Sequence, residues 1–339
     1  MQPQDAVKLA YQSEFGGGHL IADEAACLAF LYEECAATPA DDNVPLYEEI
    51  GGGMARVHLS ALAAAGVAPE TLGRAFLVSA RTPQGTREGL LQRIAVLQEA
   101  AEAGRFAFSA EALQAYLRDY AAAGYPAVSH SEAYRAAYHP AYRVVRLSYA
   151  RALRLIAAAE AVRREKGEVF FAIDGMAAAG KSTLAADLAA YFGEEECTIV
   201  HMDDFFLPPE LRTAARYAEP GGNIHYERFR EEVVGAFSRP AFTYARWDCG
   251  RCAFGPVCTA PRRPVCIVAG SYSMHPYFGY PDDLSVDLWV TPAEQRARIL
   301  RRNGADWAQD FETKWIPMEN AYAEAFDIPS KCSFSIHNE

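Results

Sequence analysis

The 339-residue chain is 51% hydrophobic and 22% charged, an ordinary globular composition, and at roughly 150 residues per domain it is long enough for two cores. With 32 Lys and Arg against 44 Asp and Glu, its net charge of −12 has the wrong sign for neutralising a phosphate backbone, so no nucleic-acid partner is expected. No run approaches the roughly 18 apolar residues that would span a bilayer. The first residues carry no basic stretch feeding an apolar one, and the eight cysteines lie in a chain too large to need cross-links. These features predict no membrane partner and a reducing, cytoplasmic setting.

Residues 1–145 show helical stretches at Glu24 to Glu34, Thr86 to Ala103 and Ala110 to Ala123, between glycine-rich and aromatic-polar loops and with few strand signals. A separate α+β or mostly helical domain is expected there, supplying binding, regulation or a second activity. Two triple-glycine loops, Gly16 to Gly18 and Gly51 to Gly53, lie beside carboxylates and a His or Arg. Such loops either present backbone N–H groups to a phosphate or sugar or make tight turns. Glu14, His19, Arg56, His130, Glu132, Arg135 and His139 are the candidates for a second site or for substrate recognition.

Over 146–166, Leu155, Ile156, Ala159 and Val162 follow the spacing of one helix face, and Gly167 stands where a left-handed cap belongs; this predicts a connecting helix. In 167–339, short apolar runs alternate with helical ones. Val169 to Ile173, Thr198 to Met202, Val265 to Val268 and Val286 to Val290 read as strands of a parallel sheet with helices on both faces.

The strongest signal is Gly175-Met176-Ala177-Ala178-Ala179-Gly180-Lys181-Ser182-Thr183, a complete G-x-x-x-x-G-K-[ST] pattern between an apolar strand and a helical run. Its glycines let the backbone curl so that successive N–H groups face phosphate oxygens. The helix adds its positive end, Lys181 reaches the β- and γ-phosphates, and Ser182 ligates Mg²⁺. The next strand ends in Met202-Asp203-Asp204-Phe205-Phe206. A carboxylate at the carboxyl end of a neighbouring parallel strand lies by the ligand crevice, where it accepts a hydroxyl proton or holds the metal. Asp203 is that candidate, and the bland reading is that Asp203 or Asp204 caps the next segment.

Ile173-Asp174-Gly175 through Thr183, Met202 to Phe206, Glu219-Pro220-Gly221-Gly222-Asn223 with Arg228-Phe229, and Gly270-Ser271-Tyr272-Ser273-Met274-His275-Pro276 together resemble the uridine kinase and phosphoribulokinase-type branch of P-loop kinases. The resemblance covers about 167–339. It implies a five-stranded parallel core, ATP·Mg²⁺ as donor, a hydroxyl acceptor on a small molecule, and Asp203 as base. It also implies a mobile lid at Arg296 to Arg302, with Arg296 and Arg301 matching the lid arginines. Asp204, His225, Tyr244, Cys249 and Arg251 are the expected acceptor contacts.

Three departures bear on the substrate. Ala269 stands where uridine kinases carry a metal-organising glutamate, His225 where they carry a ribose-binding aspartate, and Cys249 where a histidine reads the pyrimidine. The readings left open are an ATP-dependent kinase for a nucleoside-like or sugar-like compound and a nucleotide-binding regulatory protein without turnover. Cys249-Gly250-Arg251-Cys252 is half of a zinc pattern whose second half is missing, since Cys258 is alone and Cys266 belongs to an apolar strand; no zinc is expected. A homo-oligomer is compatible with these residues and not required by them.

Overall fold

The computed structural model describes residues 1–82, 85–279 and 282–339. Contacts divide the chain into two units, 1–157 and 158–339. Six helices come first: α1 (Pro3–Phe15), α2 (Glu24–Ala37), α3 (Pro69–Arg81), α4 (Arg87–Glu102), α5 (Ala110–Ala122) and α6 (Glu132–Tyr138). The division between the units falls inside the next one, the continuous helix α7 (Leu147–Lys166).

In the first unit, polar caps start the helices. Asp23, Thr86, Ser109 and Ser131 each accept an N–H of the first turn with their side chains. Val7 and Ala10 of α1 pack with Leu90, Ile94, Leu113 and Tyr120 of α4 and α5. Beside these helices lies a sheet that few sequence signals announce. Strands β1 (Tyr47–Gly51), β2 (Met54–His58) and β3 (Tyr142–Arg146) pair antiparallel in that order. β1 carries Glu48 and Glu49, and β2 buries Arg56, so neither shows the apolar alternation that marks a half-buried strand. The unit is α+β.

The triple glycines serve chain geometry. Gly51, Gly52 and Gly53 all have positive φ in the β1–β2 turn, and a Cβ on Gly52 would stand 1.8 Å from the Ser13 carbonyl oxygen. Gly16 closes α1 at φ 65°, and a Cβ on Gly17 would meet the Phe76 ring at 2.6 Å.

The second unit is built on a five-stranded parallel sheet, β4 (Val169–Gly175), β5 (Cys197–His201), β8 (Val265–Ala269), β9 (Leu284–Trp289) and β10 (Phe334–His337), in the order β10-β9-β4-β8-β5. All five residues of β8 are buried, as expected of a central strand covered on both faces. Strands β6 (Ala241–Asp248) and β7 (Ala253–Pro261) form a separate hairpin. The helices are α8 (Lys181–Phe192), α9 (Ala214–Ala218), α10 (Tyr226–Glu232), α11 (Pro292–Asn303), α12 (Ala305–Asp310), α13 (Ile316–Phe326) and α14 (Ile328–Lys331).

Two sequence readings are corrected by this topology. β5 is an edge strand, and β8 lies between it and β4, so Asp203 does not follow the strand adjacent to the phosphate loop; Ala269 does. The edge strand also ends one residue early, because Met202 turns inward, fully buried, to open a 3₁₀ turn over Met202–Phe205. No helix among the described residues is long and apolar enough to cross a membrane.

Candidate active site

β4 ends in Asp174, which is 2% exposed and accepts hydrogen bonds from the N–H groups of Gly175, Tyr272 and Met274 and from the Tyr322 hydroxyl. Burial raises its pKa against the pull of these donors and of the Lys181 charge. Asp174 thereby ties the start of the loop to the Ser271–Met274 turn and to α13.

From there the loop is held by its carbonyls. Lys181 Nζ donates to the oxygens of Gly175 (2.8 Å) and Met176 (2.7 Å), Gln295 Nε2 to Ala177 (3.1 Å), Arg298 Nη1 to Ala178 (3.4 Å) and Asn338 Nδ2 to Ala179 (2.7 Å). A trans peptide carries its C=O and the following N–H on opposite sides. Fixing the Ala177 and Ala179 carbonyls therefore turns the N–H groups of Ala178 and Gly180 the other way. Neither has a partner among the described residues. The N–H groups of Lys181, Ser182 and Thr183 open α8, where no carbonyl lies one turn back to take them. Ala178 holds φ 59° and Gly180 φ 101°, a conformation costly for alanine, of the kind that packing sustains at ligand sites.

One acidic side chain sits beside this donor set, on the N–H of Ala177. Glu319 of α13 accepts from the Ala177 N–H (2.9 Å) and from Ser271 Oγ (2.8 Å). Burial pushes its carboxyl up, and the Lys181 charge opposes the rise. Across the β4–β9 pairing, Asp287 faces Asp174. Burial and the Asp174 charge raise Asp287 to about 6, and it has no hydrogen-bond partner among the described residues. Asp174, Asp287, Glu319, Trp289 and Tyr322 line a cleft of about 390 Å³ beside the loop.

The other predicted residues fall in three places. Ser182 is exposed at the start of α8, its hydroxyl unbonded among the described residues, and Thr183 is exposed next to it. Asp203 is exposed, whereas Asp204 turns toward the hairpin, its carboxylate 3.8 Å from Arg246 Nε; burial raises Asp204 and Arg246 opposes it. Cys249 lies at the hairpin tip close enough for the Asp203 charge, added to burial, to push its thiol up to about 11. Arg251 at the same tip points into solvent with its side chain 85% exposed.

Tyr244 is core rather than surface, packed on Phe205 at 5.1 Å between ring centres. His225 caps α10 by accepting the Arg228 N–H and lies 3.2 Å from Glu227. In α11, Arg296 pairs outward with Glu312 and Arg301 is exposed in the last turn. Gln295 and Arg298, three residues apart and so on one helix face, are the residues that reach the loop. Among the described residues no group of three or more His, Cys, Asp or Glu is placed to hold a metal ion by itself; Cys266 is buried in β8.

The first unit's candidates separate in the same way. Glu14 accepts the Thr86 N–H and pairs with Arg93 at 2.6 Å, fastening the start of α4. Glu132 is exposed in the first turn of α6, and His139 caps its end in left-handed conformation. Arg56 and His130 are buried together in one polar network, while His19 and Arg135 are exposed.

A strand, a glycine-bounded loop and a helix at the middle of a parallel sheet flanked by helices define a P-loop NTPase fold. No family model matches the chain, and no curated protein matches it significantly. Solved structures similar to it include the following three. A candidate uridine kinase from Bacillus stearothermophilus is 16% identical over 54% of this chain and 98% of its own, with a TM-score of 0.39. A candidate fructose transport system kinase from Silicibacter sp. TM1040 is 21% identical over 51% of this chain and 91% of its own, with a TM-score of 0.41. The YGR205w protein is 13% identical over 56% of this chain and 94% of its own, with a TM-score of 0.40.

Proposed function

We propose that the second unit is an ATP-dependent phosphotransferase that moves the γ-phosphoryl group to a hydroxyl of a small nucleoside-like or sugar-like molecule. The observation that carries this reading is the loop whose five successive carbonyls, Gly175 to Ala179, are each taken by a side chain. That leaves a converging set of N–H donors beside an ammonium group, a donor set that fits a polyphosphate. The N–H groups of Ala178 and Gly180 to Thr183, with Lys181, would hold the phosphates, and Ser182 and Asp203 would hold Mg²⁺. When bound, ATP·Mg²⁺ supplies the transferable phosphoryl group and screens its charge.

The chain's own part is positional and protolytic. Asp203, exposed at the carboxyl edge of the sheet, would accept the proton of the acceptor hydroxyl, which raises its nucleophilicity. Asp204 and Arg246 would orient the acceptor against the hairpin. Arg298, already on the loop, would back the phosphates from α11 in the role expected of Arg296 or Arg301.

One observation favours a second reading, a nucleotide-binding regulatory protein without turnover: the strand beside the loop ends in Ala269, 1% exposed, with no carboxylate to organise a metal. An ADP-release screen across nucleosides, sugars and vitamin precursors separates the two. Release that depends on one acceptor class and disappears in Lys181→Met supports the kinase, whereas ATP binding with no acceptor-dependent release supports the regulator.

A further inference from the structure

The first unit contains buried cationic donors whose neighbouring acceptors are already taken. Asp5, Lys8 and Gln12 share one face of α1 and are buried, Lys8 at 7% exposure. The two Asp5 oxygens accept from the Gln2 N–H, the Ser131 N–H and the Ser131 hydroxyl, and His130 Nδ1 stands 3.4 Å away. Gln12 Oε1 takes Arg56 Nη2 at 3.0 Å and lies 3.1 Å from the Tyr142 hydroxyl. Glu48 takes Arg56 Nη1 at 3.3 Å.

Lys8 lies on the helix between these two groups. Among the described residues it has neither a hydrogen bond nor an ion pair. Arg56 Nε is likewise buried without a partner. A buried guanidinium N–H without an acceptor is costly, and the like charge of the largely buried Lys8 side chain nearby adds to that cost. The carboxylates of Asp5 and Glu48 offset part of this charge, and with Arg135 beside the two buried cations the positive groups outnumber them. Exposed Arg135 stands near enough for its charge to act on Lys8, and burial together with the Lys8 charge lowers the pKa of His19. The burial of Lys8, with Arg56 and Arg135 nearby, draws its pKa down to about 8, which leaves it mostly protonated at neutral pH.

We infer that this unit binds the oxyanion group of a small molecule, phosphoryl or carboxylate, on Lys8 and Arg56 at the floor and Arg135 at the rim. The site is separate from the phosphate loop and does not depend on the kinase reading.

The test is calorimetric titration of the full chain with inorganic phosphate and, separately, with acetate, in chloride buffer. The Lys181→Met variant, which disables the phosphate loop, should retain one phosphate or acetate site. Lys8→Met, which keeps the length and apolar stem, should weaken that site about tenfold or more, the scale of a lost charge-assisted hydrogen bond. Arg135→Gln, a surface change that leaves the fold intact should Lys8→Met not fold, should weaken it severalfold. Tighter phosphate than acetate identifies a phosphoryl ligand, and the reverse order a carboxylate. The inference is overturned if Lys181→Met binds neither anion, or if Lys8→Met, folded, or Arg135→Gln binds both as Lys181→Met does.

Discussion

Glu319 sits on the Ala177 N–H, next to the loop donors assigned to a nucleotide, and replacing it with glutamine measures how far its charge opposes an incoming polyphosphate. The carboxylate takes two charge-assisted hydrogen bonds, 2.9 Å from the Ala177 N–H and 2.8 Å from Ser271 Oγ. Bonds to a charged group contribute about 1.5–3 kcal/mol against about 0.5–1.5 for neutral pairs. An amide of the same size keeps one oxygen acceptor and removes the charge that repels incoming phosphates. The docked state should lose about 1.4 kcal/mol relative to the released one, a tenfold change in an equilibrium. Glu319→Gln should therefore bind ATP·Mg²⁺ about tenfold more tightly by isothermal titration, with a melting temperature lowered by no more than a few degrees. Unchanged or weaker binding in a folded variant would refute this opposition and make Glu319 a support for the loop or for a bound metal.

Other expectations follow from the same geometry. Asp203→Asn should retain ATP binding and lower phosphoryl transfer by about a hundredfold, the scale of a positioned general base; if Asp204→Asn is the dead variant instead, the inward carboxylate carries the role. Asp287, raised from 3.8 to about 6, holds its proton more tightly folded than unfolded. It contributes stability below about pH 4 that is lost as pH rises through about 6, at most roughly 3 kcal/mol. Urea titrations of Asp287→Asn should show that component missing and greater stability than the parent at pH 7; parallel pH profiles would contradict this. Gly52→Ala, which sets a Cβ 1.8 Å from the Ser13 carbonyl in a positive-φ turn, should cost about 2 kcal/mol or more. A denaturation midpoint within error of the parent's would show that the turn relaxes freely.

What the sequence disclosed depended on whether the chemistry was contiguous. The phosphate loop was legible because its glycines, Lys181 and Ser182 lie in nine consecutive residues between a strand and a helix. The parts that shape it were not: Gln295, Arg298, Glu319 and Asn338 arrive from more than a hundred residues away, and no local pattern marks them. In the run from Arg296 to Arg302, charge alone cannot say which arginine faces the loop; the three-residue spacing of Gln295 and Arg298 was the available signal. The parallel sheet showed as uninterrupted apolar runs, whereas the first unit's sheet hid behind charged strands. Lys8 carries no sequence signal, because its significance lies in the saturation of Asp5 and Gln12, a property of neighbours and not of a motif.

The grip of Lys181 on the carbonyls of Gly175 and Met176 bears on the entropy of binding. Because the ammonium closes the loop on itself, the cradle keeps its curvature before any ligand arrives, and binding swaps one set of acceptors for another instead of ordering a loose segment. Association at the loop should then proceed with little loss of backbone entropy.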